Sequence, residues 1–146
     1  MGCVDLGGDR HTAPGVARIH PEPDVTAPDG SQIRLLTHAG RASLCEVTLE
    51  AGRVSRPVWH RKVEETWYVL QGTGSVWRCP PDIGPEQGTV ANVSPGAALV
   101  IPPRWRFQFG ASDAGALRFL CFTTPPWPGE DEAQPAGEGG LGPPTV

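Results

Sequence analysis

The chain predicts an all-β fold, a sandwich or barrel, and three observations carry that prediction. Short β-prone runs follow one another through the middle of the sequence, each closed by Gly, Pro or Asp. No stretch carries a helical repeat of useful length. A chain of 146 residues gives one domain with a core large enough to fold without disulfides.

Taken in order, residues 1–29 are rich in Gly, Pro, Asp and His with little hydrophobic periodicity, and predict an irregular arm with one short strand around Val16–Ile19. The barrel domain is expected over residues 30–128. Its strands are expected at Ser31–Thr37, Ser43–Leu49, Ser55–His60, Glu65–Leu70, Gly74–Cys79, Gly88–Val93, Ala98–Ile101, Arg106–Phe109 and Leu117–Thr123. Gln71-Gly72, Pro95-Gly96 and Asp113–Gly115 carry residues suited to tight reversal. The last segment, 129–146, lacks the apolar content to offset chain entropy and predicts a disordered tail.

Composition excludes several function classes. A net charge of −4 and a pI near 5.5, with the cations scattered, leave no basic footprint for nucleic acid. No apolar run approaches the ~20 residues that span a bilayer. Cys3, Cys45, Cys79 and Cys121 lack the close pairing of a zinc site, and no signal peptide precedes them, so reduced thiols in a cytoplasmic protein are expected. Met-Gly-Cys at the start is not a myristoylation signal, because Leu6 stands where Ser or Thr is required.

The chemistry concentrates in GRVSRPVWHRKVEETWYVLQGTG, residues 52–74. A strand, a bend and a second strand would aim His60 and Glu65 at one point, since side chains two apart on a strand share a face. Glu64 then points to the opposite face. An imidazole and a carboxylate meeting in an interior can hold a metal or move protons.

This segment resembles the first motif of the cupin superfamily, G-x5-H-x-H-x(3,4)-E-x6-G, with Gly52, His60, Glu65 and Gly72 on its positions and Val58 in place of the first histidine. A second cupin motif is recognisable in SPGAALVIPPRWRFQFG, where Phe107 stands at the histidine position. The runs PPRWRFQF and LRFLCFTTPPWPGE are similar to small single-domain cupins called mannose-6-phosphate-isomerase-like. The resemblance implies a double-stranded β-helix, or jelly-roll barrel, and a homodimer. It also implies a degenerate metal site, in which His60 and Glu65 would be the only ligands if a divalent Zn, Fe, Mn or Ni were bound at all. In that register Val58, His60, Glu65, Trp67, Val69, Phe107 and Phe109 face the interior. Phe119 and Cys121 do so on the last strand, in preference to Arg118 and Leu120, because an unpaired interior arginine would be strongly desolvated.

The expected site is therefore an aromatic-walled pocket for a small molecule, with His60 and Glu65 catalytic. Val58, Trp67, Phe107, Phe109, Phe119 and Cys121 line it, and Arg56 stands at its mouth to meet an anionic group. His38 or Gln108 would complete a metal site only in a different register. Trp59, Trp77 and Trp105 are expected to face outward and mark an interface. Three functions are compatible with this site: an isomerase, dehydratase or cyclase using His60 and Glu65 as an acid–base pair; a small-ligand-binding module without chemistry; and a metal-dependent oxygenase or isomerase with a sparse site.

Overall fold

Glycines at the reversals divide the chain, of which the computed structural model describes residues 13–146, into eleven strands joined only by antiparallel pairings. These are β1 (Val25–Thr26), β2 (Gln32–His38), β3 (Ser43–Leu49), β4 (Val58–His60), β5 (Glu64–Gln71), β6 (Gly74–Cys79), β7 (Thr89–Val93), β8 (Ala98–Ile101), β9 (Arg106–Ala111), β10 (Leu117–Thr124) and β11 (Ala133–Pro135). A single 3-10 turn spans Pro85–Gln87. One sheet runs β1-β2-β3-β10-β5-β8 and the other β11-β4-β9-β6-β7. The motif glycines Gly52 and Gly72 sit at φ 72° and 81°, where a side chain is strained, and a Cβ on Gly72 would also collide with the Ala116 carbonyl.

The two sheets face each other across a core that follows the expected parity. Val47, Leu49, Trp67, Val69, Val76, Phe107, Phe109, Leu117, Phe119 and Cys121 all turn inward into one cluster. Leu120 and Arg118 face the other way, as the desolvation argument required. β4 is shorter than the expected Ser55–His60, because Pro57 cannot donate to a ladder.

Three expectations are corrected. Val16–Ile19 forms no strand and is exposed, having no neighbour to pair with. Segment 129–146 is not a disordered tail. β11 pairs with β4, Leu141 N–H donates to Gln108 Oε1, Gln108 Nε2 donates to Gly142 O, and Thr145 N–H donates to Val54 O. Backbone hydrogen bonds to a preformed sheet supply the order that its composition does not. Trp77 faces away from the core, yet it is 1% exposed, because Gly139 and Gly140 lie over this sheet where a Cβ on Gly140 would strike the indole. Trp59 and Trp105 are half-buried. The exposed apolar residues of the outer face of the larger sheet are instead Tyr68, Leu70, Val100 and Phe122. Among the described residues no helix is long and apolar enough to cross a membrane. Cys3, His11 and the N-terminal Met-Gly-Cys lie outside the described residues.

Candidate active site

His60 ends β4 and Glu65 is the second residue of β5, which starts at Glu64, so the bend between the two strands is the turn Arg61–Val63. A side chain remote in sequence fixes that turn. Glu132, itself 4% exposed, accepts the backbone N–H groups of Lys62 and Val63 through Oε2, both at 2.7 Å. Arg61 N–H donates to the Glu132 carbonyl. From the other side Arg104, held at φ 69°, donates its N–H to the His60 carbonyl at 2.8 Å. That left-handed conformation is one glycine adopts freely and other residues seldom do, and Arg104 is held in it without glycine.

The strands thus bring His60 and Glu65 together, both nearly buried at 5% and 7% exposure. His60 Nδ1 lies 3.7 Å from Glu65 Oε2, too far for a hydrogen bond, and has no hydrogen-bond partner among the described residues. Glu65 Oε1 is occupied by the Trp67 indole N–H at 2.9 Å, which fixes the carboxylate plane. The carboxylate therefore approaches the imidazole without yet binding it. Phe107 meets the His60 ring edge-on at 5.2 Å, and Trp127 does so at 5.0 Å. Trp127 is half-buried, and its backbone N–H donates to Ser43 Oγ, which in turn is bonded to Thr123 Oγ1.

The remaining expected residues fall into two groups. Val58 and Phe107 are directly opposite each other on β4 and β9. Trp67 stacks on Phe119 at 4.0 Å, while Phe109 meets both rings edge-on. These rings are 1–2% exposed, so they pack on one another rather than border an open space. Cys121 lies beside Glu65 and Cys45; contact with Cys45 and burial, then the nearby carboxylate, push its thiol well above the usual range. Arg56 is exposed, beyond the end of β4, and its Nε donates to the Val146 carbonyl at 2.9 Å, so it serves the chain's own C-terminal segment. Gln108 is directed away from His60 and holds the same segment.

Asp29 was not anticipated. Desolvation pushes its carboxyl up from 3.8; hydrogen bonds from Ser31 oppose this, the Glu65 charge adds to it and His60 offsets it. It therefore shares the electrostatic field of the pair. No sequence signal marks Asp29, Glu132 or Trp127, since each reaches the site from a loop. A cleft of about 590 Å³ lined by Thr73, Ser75, Asn92 and Ser112, among others, shares no residue with the site.

A three-ligand metal centre does not fit these residues. Val58 and Phe107 supply no donor, and no group of three His, Cys, Asp or Glu side chains among the described residues is arranged around one point.

The comparisons agree with this architecture. A family model described as "Cupin" matches residues 22–132. The polyketide cyclase RemF from Streptomyces resistomycificus is 25% identical over 82% of this chain and 80% of its own, with a TM-score of 0.57. KdgF from Halomonas sp. is 24% identical over 73% and 88%, with a TM-score of 0.58. Pac13, a nucleoside dehydratase from Streptomyces, is 13% identical over 86% and 92%, with a TM-score of 0.61. No curated protein matches the chain in sequence.

Proposed function

The chain belongs to the cupin family, and from that premise we propose that it is a small-molecule enzyme in which His60 and Glu65 form an acid–base pair for isomerisation, dehydration or cyclisation. One observation carries the reading: a buried imidazole nitrogen without a hydrogen-bond partner among the described residues, 3.7 Å from a carboxylate held by Trp67. Buried polar atoms are normally paired, so this nitrogen is placed to close on the Glu65 carboxylate when the ring gains a proton at its other nitrogen. A cyclase and a dehydratase among its structural neighbours are compatible with chemistry of this class.

In the proposed mechanism Trp67 N–H holds Glu65 by one oxygen and leaves the other facing His60. Imidazole changes charge near neutral pH and can accept a substrate proton at one nitrogen while the carboxylate stabilises the cation from the other side. Phe107 and Trp127 confine the ring from two sides and keep water from it. Because Trp127 is the half-buried member, it forms the wall a substrate would touch. His60→Ala and Glu65→Gln variants that retain full turnover would reject the pair.

The alternative is a ligand-binding cupin without turnover, favoured by the packed rings and the 3.7 Å separation. Ligand retention with unchanged affinity in His60→Ala would select it. We further propose a cytoplasmic homodimer of the mannose-6-phosphate-isomerase-like subgroup, paired through the face that carries Tyr68, Leu70, Val100 and Phe122. A monomeric mass by sedimentation at micromolar concentration would reject the dimer.

A further inference from the structure

We propose that Cys45 and Cys121 form a redox-active dithiol, closed to a cross-strand disulfide by hydrogen peroxide and reopened by small thiols. Cys45 on β3 and Cys121 on β10 are directly opposite in antiparallel register. Cys121 is 3% exposed, and Cys45, half-buried, packs against the same core cluster. Opposed residues of an antiparallel pair have Cα atoms ~4.5–5.5 Å apart. A disulfide requires about 4.4–6.8 Å, so the backbone already lies within range.

A second feature supports closure. On the other edge of β3 the pairing with β2 shifts register between Leu35 and Thr37, and the step falls at Cys45 and Leu44. A bulge there lets the strand adjust its twist as the sulfur atoms approach. Cys79 takes no part, since its thiol lies against the Gly84 carbonyl and Arg106 on the opposite sheet.

Accessibility divides the roles. The Cys45 sulfur attacks peroxide; an S–O bond forms, the O–O and S–H bonds break, and the leaving hydroxide departs as water with the Cys45 proton. The Cys121 sulfur then attacks the Cys45 sulfur; the S–S bond forms, the S–O bond breaks, and hydroxide departs as water with the Cys121 proton. The thiols lose two electrons and the peroxide gains them. Cys121, the more buried thiol and the one held protonated, is the poorer nucleophile toward peroxide and gives up its proton only to the hydroxide that leaves Cys45. Since Cys121 adjoins Glu65, closure removes a thiol hydrogen from the carboxylate's surroundings and makes the oxidation state felt at the site.

Peptide mass mapping of the full chain after peroxide, with thiols alkylated in denaturant before digestion, tests this. The expected result is loss of alkylation at Cys45 and Cys121 together, a linked peptide joining them, and recovery of both with dithiothreitol. Cys79 should remain alkylated. In Cys121→Ser no linked peptide should form and Cys45 should be recovered as sulfenic or sulfinic acid. Full alkylation of Cys45 and Cys121 in the peroxide-treated wild type would overturn the proposal, as would linkage of Cys45 to Cys3.

Discussion

Two neighbouring layers of the same interior are built on different terms. The Trp67 layer closes on itself: Trp67 stacks on Phe119, Phe109 meets both, and the indole N–H is satisfied by Glu65. The adjoining His60 layer does not close, since the His60 Nδ1 has no hydrogen-bond partner among the described residues although a carboxylate lies beside it. Strands β5 and β9 contribute to both layers, while Phe119 of β10 completes the first and His60 of β4 stands in the second, so the difference follows the residue types these strands carry. What it teaches is that the aromatic residues of this chain pack into a closed cluster, while the buried imidazole and carboxylate stand beside that cluster 3.7 Å apart without a mutual hydrogen bond.

Breaking the closed layer should have the largest effect on stability. Phe109→Ala should cost about 3–5 kcal/mol by creating a cavity among rings that cannot collapse, measured by denaturant unfolding. His60→Ala, with its nitrogen unpaired in the parent, should cost clearly less. Equal losses would erase the distinction between the layers.

The second test converts the open layer into a metal site. Val58 and Phe107 are opposite each other, and Val58→His with Phe107→His would place two imidazoles beside His60 and Glu65. Loss of the phenylalanine should destabilise by roughly 2–5 kcal/mol. Zn²⁺, Ni²⁺ or Co²⁺ should bind more tightly than to the parent, and more tightly as pH rises through imidazole deprotonation. Calorimetry that shows no gain in a folded double variant would contradict the register.

Removing the support of the open layer should act next. Glu132→Ala leaves two backbone N–H groups of the His60–Glu65 turn without their acceptor, at about 1–3 kcal/mol, and hydrogen exchange of Lys62 and Val63 should accelerate. Unchanged exchange would show that the turn holds itself.

Much of this architecture was legible in the chain because Gly and Pro punctuate it and because strand parity repeats every second residue. Ser43–Leu49, Gly74–Cys79 and Ala98–Ile101 have their expected bounds. β1 and β11 were not legible: Val25–Thr26 is too short to carry a pattern, and Ala-Gln-Pro has no β preference of its own. Their strand character comes from the partner edge. For the same reason the order of 129–146 was hidden, although the buried Gln108 and Glu132 in retrospect needed partners. In the site, His60 and Glu65 were legible from their spacing. Trp127 was not, since tertiary contact alone brings its loop to His60, and neither was Asp29, whose link to the pair is a charge interaction through space. Arg56 was misplaced because parity was extended through Pro57, beyond the end of β4.

The smallest expected effect concerns pH. Asp29 has its carboxyl pushed up from 3.8 by desolvation, so between that value and its raised one the folded protein binds more protons than the unfolded chain. Stability should therefore fall as pH rises through this window. Asp29→Asn should flatten that slope in unfolding titrations, and an unaltered slope would show that burial does not raise the Asp29 carboxyl.

The most direct measurement is the turnover number of the wild type, His60→Ala and Glu65→Gln on a substrate found by screening small cyclisable, dehydratable or isomerisable molecules, with each variant's unfolding curve recorded alongside. An acid–base pair predicts that His60→Ala lowers kcat by roughly 10²–10⁴-fold and that Glu65→Gln also lowers it, while both remain folded. Full turnover in both folded variants would contradict the account and leave the open layer as a structural feature of the barrel.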